Sequence, residues 1–145
     1  MFMGQYEHNI DTKGRLTIPA RFREFLANGA YVTQGLDNNL MVLTNDDFMR
    51  VTQHINQMSL TNPIARQLKR RIFAYAEQII PDKLGRILIP AFLREAAKLD
   101  GSVEIVGVGA YFEIWSPDLW AKQIAEIQNP EADAQRFAIF DLPLG

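Results

Sequence analysis

Asp11-Thr12-Lys13-Gly14-Arg15-Leu16-Thr17-Ile18-Pro19-Ala20-Arg21-Phe22-Arg23-Glu24 is matched later in the chain by Asp82-Lys83-Leu84-Gly85-Arg86-Ile87-Leu88-Ile89-Pro90-Ala91-Phe92-Leu93-Arg94-Glu95. The offset is a constant 71 residues, and eight of the fourteen positions are identical: Asp, Gly, Arg, Ile, Pro, Ala, Arg and Glu. A repeat this dense governs any fold assignment, because each copy is one supersecondary unit with a face to bury.

Within a copy the residues predict a definite order. Tyr6, His8 and Ile10 share one face of an extended strand. Asp11 and Gly14 then make a tight hairpin turn, the carboxylate accepting a nearby backbone N–H and glycine supplying a positive φ. Leu16-Thr17-Ile18 is the return strand. Pro19 opens a helix, where its missing N–H costs nothing, with Phe22, Phe25 and Leu26 inward and Asn28-Gly29 as its end. A second hairpin turns through Gly35–Asn39, and a helix follows with Phe48, Val51, Thr52, Ile55 and Met58 on one face. Thr44 and Asp47 resemble a weak capping box at its start.

The second copy repeats this plan. Asp82 and Gly85 shape its turn, and Ile87-Leu88-Ile89 returns. Pro90 opens a helix with Phe92, Leu93, Ala96 and Ala97 inward, ended by Asp100-Gly101. Strands follow at 103–106 and 111–115, then a helix capped by Ser116. Between the copies a helix begins at Thr61-Asn62-Pro63. It places Ile64, Leu68, Ile72 and Tyr75 in one arc and Phe73 on the polar side, as an exposed aromatic available for a subunit contact. The expected divisions are a first repeat over 1–62, a connecting helix over 63–77, a second repeat over 78–128, and a C-terminal helix and tail over 129–145.

The chain has 145 residues, so each half alone would bury only about 60% of its unfolded surface. The two repeats are therefore expected to share a core. There is no cysteine, and the two histidines, His8 and His54, have no ligand spacing, so neither a disulfide framework nor a metal site is expected. No apolar run approaches the ~20 residues of a membrane span, and no leader pattern is present, so a soluble, cytoplasmic protein is expected. Net charge is −2, yet residues 64–98 carry +5 and residues 99–145 carry −6.

Catalysis is not expected. Only Ser59, Ser102 and Ser116 could serve as seryl nucleophiles, and no nucleophile elbow, phosphate loop or H-E-x-x-H occurs. Asp11 and Asp82 could act as a carboxylate pair only if the fold converged on both. No cofactor is implied.

Arg15 and Arg86 leave two readings open. A guanidinium held on a rigid turn can contact guanine O6/N7 or phosphate in two places at once. It can equally pair with the turn aspartate and brace the hairpin. Lys13 and Lys83 lie close by, in unequal positions, because Leu84 stands in the second turn where Lys13 stands in the first.

Asp-x-x-Gly-Arg followed by two strand residues, Ile-Pro and a helix with Arg-Glu resembles the AbrB/SpoVT-type DNA-binding hairpin. The tandem units, the opening Met1-Phe2-Met3-Gly4 and Lys13-Gly14-Arg15-Leu16 are similar to the MraZ family, whose genes head the bacterial division and cell-wall cluster. The resemblance implies an α+β protein: a pseudo-two-fold swapped-hairpin β-barrel of double-psi type with added helices. It also implies a ring-like homo-oligomer associated with the nucleoid, binding direct repeats in double-stranded promoter DNA as a repressor, with no small-molecule effector evident. Arg15 and Arg86 are then the DNA contacts, helped unequally by Lys13 and Lys83, while Asp11, Gly14, Asp82 and Gly85 shape the turns. In such an assembly the acidic C-terminal third faces away from DNA or meets a neighbour's 64–98 segment. Two other readings remain: an assembly module with structural arginines, and an antitoxin-like DNA binder of the same hairpin class. The tandem copies weigh against the latter.

Overall fold

The computed structural model describes residues 1–143. The first repeat contributes β1 (Gln5–Asn9), β2 (Arg15–Thr17), α1 (Ala20–Arg23) with a 3-10 turn at Glu24–Leu26, β3 (Ala30–Gln34), β4 (Leu40–Thr44) and α2 (Asn45–Asn56). After α3 (Pro63–Phe73) the second contributes β5 (Glu77–Ile79), β6 (Arg86–Leu88), α4 (Ala91–Ala96), β7 (Ser102–Gly107), β8 (Phe112–Trp115) and α5 (Pro117–Ile127). A last helix, α6 (Pro130–Arg136), and a 3-10 turn at Ala138–Phe140 have no equivalent in the first half.

The strands exchange partners between repeats. β1 pairs with β7 and β5 pairs with β3, each antiparallel, while β4 and β8 join the two halves at the centre. The resulting six-stranded sheet has the order β1-β7-β8-β4-β3-β5, which reads the same under exchange of the repeats. β2 does not form a ladder with β1, to which it is joined only by the isolated Ile10–Leu16 bridge; it pairs with β6 instead. This is the swapped-hairpin α+β fold. The expected barrel, however, is not closed. β2 and β6 have three residues each, too short to extend their ladder into the large sheet, so they form a separate ribbon.

One core serves both repeats. Leu16, Ile18, Phe22 and Leu26 of the first pack with Ile87, Ile89, Leu93 and Phe112 of the second, all essentially without solvent exposure. Burying one such aliphatic or aromatic side chain stabilises by about 1.5–3 kcal/mol, so neither repeat can leave without exposing the other's interior. A second cluster lies under α2 and α3 around Leu43, Phe48, Ile55 and Ile72. A third, of Val106, Trp115 and Trp120, lies under α5. Trp120 Nε1 donates to Gln5 Oε1 at 3.1 Å, fixing α5 over the β1 end of the sheet.

Helix limits explain where side chains depart from expectation. Pro19 and Pro90 stand at the capping position, one residue before their helices. α1 tightens into a 3-10 turn after one turn, which leaves Phe25 at the rim, exposed and edge-on to Phe2, rather than inward. Phe92 is likewise exposed. α4 ends at Ala96, before Asp100-Gly101, because Lys98 takes a φ of +56°. In α3 the buried positions are Ala65 and Ile72, so Ile64 is 74% exposed and Tyr75 falls beyond the helix end. Phe73 is not a free surface aromatic: its ring packs edge-on against Phe48. Thr44, Asn62 and Ser116 cap α2, α3 and α5 through their side chains.

Candidate nucleic-acid interface

The two turns are built alike. In the first, Gly14 N–H donates to Asp11 O at 3.0 Å and Asp11 N–H to Arg15 O at 2.9 Å. Asp11 Oδ1 accepts from the Lys13 and Arg15 backbone N–H groups, each at 2.9 Å, and Oδ2 accepts from Arg15 Nε at 2.7 Å. In the second, Asp82 Oδ1 accepts from Leu84 and Arg86 N–H, each at 2.9 Å, and Oδ2 from Arg86 Nε at 2.8 Å. Gly14 and Gly85 carry φ values of +84° and +76°, which residues with a Cβ rarely adopt. The Arg15 and Arg86 backbone N–H bonds, reinforced by the guanidinium and by a second backbone N–H, hold Asp11 and Asp82 below the ordinary carboxylate pKa.

The bracing and the contact readings of Arg15 and Arg86 thus use different edges of one group. The carboxylate takes Nε. Among the described residues neither arginine makes a hydrogen bond through its terminal nitrogens, and the side chains keep 36% and 28% of their exposure. An exposed ion pair adds little stability, so the aspartate acts mainly by fixing direction.

The ribbon sets both guanidinium groups on one face. Leu16 and Ile87 point into the core, so Arg15, Thr17, Arg86 and Leu88 point outward. Arg15 lies opposite Leu88 and Thr17 opposite Arg86, making the arginines a diagonal pair with Cα atoms roughly 7–8 Å apart. The turns flank this face from opposite ends, since Gly14 O accepts from Ile89 N–H and Gly85 O from Ile18 N–H. Lys13 and Lys83 therefore stand exposed at opposite ends. Asp11 and Asp82 are separated in the same way; a shallow cleft of about 340 Å³ beside the first turn includes Asp11 but not Asp82. The fold does not converge on a carboxylate pair there.

Two further residues belong to this assembly. Arg23 Nε donates to Ile18 O at 2.8 Å and Arg94 Nε to Ile89 O at 3.1 Å. A Cβ placed on Gly85 would lie 2.5 Å from Arg23 Cζ, and one on Gly14 3.4 Å from Arg94 Cζ. Each helix arginine therefore lies over the turn of the other repeat. Together they make one of the eight identical positions, but helical spacing alone gives no reason to carry them to a turn in the partner repeat. His8, half-buried, has its pKa lowered by burial and by nearby Arg23. His54 is exposed, and among the described residues no three His, Cys, Asp or Glu side chains cluster as a metal site.

A two-stranded antiparallel ribbon presenting oriented guanidinium forks has the width to enter a DNA major groove. The tandem, partner-exchanged hairpins define the structural class. Two consecutive stretches, residues 1–71 and 72–140, match the MraZ protein family, described as antitoxin-like, and the chain belongs to that family. It is 49% identical over 120 residues to a transcriptional regulator MraZ of Carboxydothermus hydrogenoformans, covering 83% of this chain and 84% of the relative. Similar proteins of the same name occur in Desulforamulus reducens, at 45% identity with 88% and 90% covered, and in Heliobacterium modesticaldum, at 42% with 98% and 100% covered.

Proposed function

We propose that this chain is a transcriptional regulator that binds specific promoter DNA and represses, acting as a ring-like homo-oligomer on direct repeats. The observation that carries this reading is the pair of aspartate-held guanidinium groups on one outward ribbon face, with terminal nitrogens unused. Arg15 and Arg86 contact base edges or phosphates, and Lys13 and Lys83 add phosphate contacts at the two ends. Asp11, Gly14, Asp82 and Gly85 keep the turns in shape. The names of the relatives support the regulatory role.

Affinity comes from assembly. One protomer with a net charge of −2 and one narrow ribbon neutralises few phosphates. Copies arranged head to tail present ribbons at regular intervals, and linked weak contacts gain strength when their spacing matches that of the sites. Such interfaces suit direct repeats better than palindromes. Acting on promoter DNA, the protein would be cytoplasmic and nucleoid-associated; no described helix is long and apolar enough to cross a membrane.

A mobility shift with the DNA upstream of the protein's own gene, at two salt concentrations and with competitor DNA, tests this. Specific, phosphate-assisted binding predicts a shift that weakens with salt and survives competitor. A protein that never shifts this DNA at low salt contradicts the reading. The aspartate–Nε contacts also suit a module whose arginines are purely structural; that reading predicts unfolding or dissociation when the arginines are removed.

A further inference from the structure

The two repeats differ in polarity on outer faces that should be equivalent. Asn9, Thr17 and Arg21 of the first repeat correspond, at the offset of 71, to Ile80, Leu88 and Phe92 of the second. Those apolar side chains are 69%, 56% and 42% exposed. Ile80 and Leu88 share a shallow depression with Pro90 along β5, and Phe92 packs beside Tyr75 with ring centroids 5.9 Å apart. β5 ends the six-stranded sheet, so its outer edge is unpaired among the described residues. An apolar face beside an open edge marks an association surface.

The chain carries a second uncovered apolar element. α6 buries no residue, and Phe137, Ile139, Phe140 and Leu142 are 47%, 79%, 67% and 64% exposed. This segment is acidic, with Glu131, Asp133 and Asp141 against Arg136, while residues 64–98, the stretch of chain that contains the apolar face, carry +5. It hangs from α5, where Arg136 Nη2 donates to Glu126 O at 2.7 Å, and α5 packs over β7 and β1. The donor segment thus leaves from the β1 flank, whereas the apolar face lies at the β5 flank. Five strand spacings of about 4.8 Å separate the two edges.

We propose that residues 137–142 of one copy dock on the Ile80–Phe92 face of the next. Complementary surfaces on opposite flanks produce a head-to-tail contact, which builds a ring where the rotation between copies closes. The inference rests on the self-assembly reading and names its interface.

The chain has no cysteine, so a Phe92→Cys variant mixed with a Phe140→Cys variant tests the contact directly. Under mild oxidation without DNA, the expected product is a disulfide-linked dimer containing one chain of each variant. In parallel, Ile80→Asn and Phe92→Arg import the first repeat's residues at exposed positions, and each is expected to raise the half-assembly concentration about tenfold or more. Native mass spectrometry of the unaltered protein separates the two possible failures. A monomer at all concentrations removes the assembly reading together with this one. An oligomer without the mixed disulfide, and indifferent to both surface substitutions, overturns this interface alone. A chain carrying both Phe92→Cys and Phe140→Cys that closes its disulfide internally, while the mixed single variants give no dimer, also overturns it.

Discussion

Replacing Gly85 with alanine probes the exchange between repeats in one residue. The left-handed backbone there, at φ +76°, costs a residue with a Cβ about 1–2 kcal/mol. The new methyl would also lie 2.5 Å from Arg23 Cζ, so the arginine must swing away and lose its 2.8 Å bond to Ile18 O. A hydrogen bond from a charged group adds about 1.5–3 kcal/mol. Gly85→Ala should therefore destabilise by about 2.5–5 kcal/mol in total, but by only about 1–2 kcal/mol where Arg23→Ala has already removed the obstacle. Gly14→Ala offers the control. Its methyl meets the backbone oxygen of Ile89 at 2.8 Å, while Arg94 stays at an ordinary 3.4 Å, so Arg94→Ala should bring no relief. Urea unfolding at fixed protein concentration measures both cycles. Equal costs for Gly85→Ala with and without Arg23 would refute the placement of the helix arginine over the partner turn.

Three other outcomes follow from particular contacts. Asp11 and Asp82 have folded pKa values below the ordinary carboxylate value, so their stabilisation is present above about pH 4 and is lost as pH falls through the folded values. Asp11→Asn with Asp82→Asn should flatten that acid limb in a stability–pH titration. Glu104 behaves oppositely: burial first, then Glu7 directly across the ladder, raises its pKa. The protein should gain stability as pH drops from neutral through that raised value, and Glu104→Gln should be more stable at pH 7 and lack this dependence. Thr33, wholly buried, donates its hydroxyl to Ile72 O at 2.5 Å, tying α3 to β3. Thr33→Val should cost about 1–3 kcal/mol in thermal or urea unfolding, by leaving a buried carbonyl oxygen without its donor.

Much of the architecture can be read before any coordinates, because duplication places Asp, Gly, Pro and the apolar alternation at a single offset. The element order, the turns and most caps follow from those local signals. Strand partners do not. Nothing near Leu16-Thr17-Ile18 distinguishes pairing with β1 from pairing with β6, since a strand's alternation specifies its buried face and not its neighbour. Helical spacing fails to place side chains where helices stop early: Phe25 sits past the change to 3-10 geometry, and Tyr75 past the end of α3. Ile64 departs from its arc because Ala65 takes the buried position in the first turn of α3, while Leu68 and Ile72 keep theirs. Arg15 and Arg86 illustrate a different limit. Residue type and spacing cannot assign Nε to the brace and the terminal nitrogens to solvent; that division requires the distances to Asp11 and Asp82.

The central claim is that the ribbon arginines face DNA and do not hold the protein together. A mobility shift of upstream promoter DNA by the Arg15→Ala, Arg86→Ala double variant, with native mass measured on the same sample, addresses it most directly. Two lost bidentate contacts per protomer predict at least roughly thirtyfold weaker binding. The oligomer mass and folded state should be unchanged. A double variant that remains folded and binds as the unaltered protein does, or one that loses its assembly along with DNA, would contradict the account.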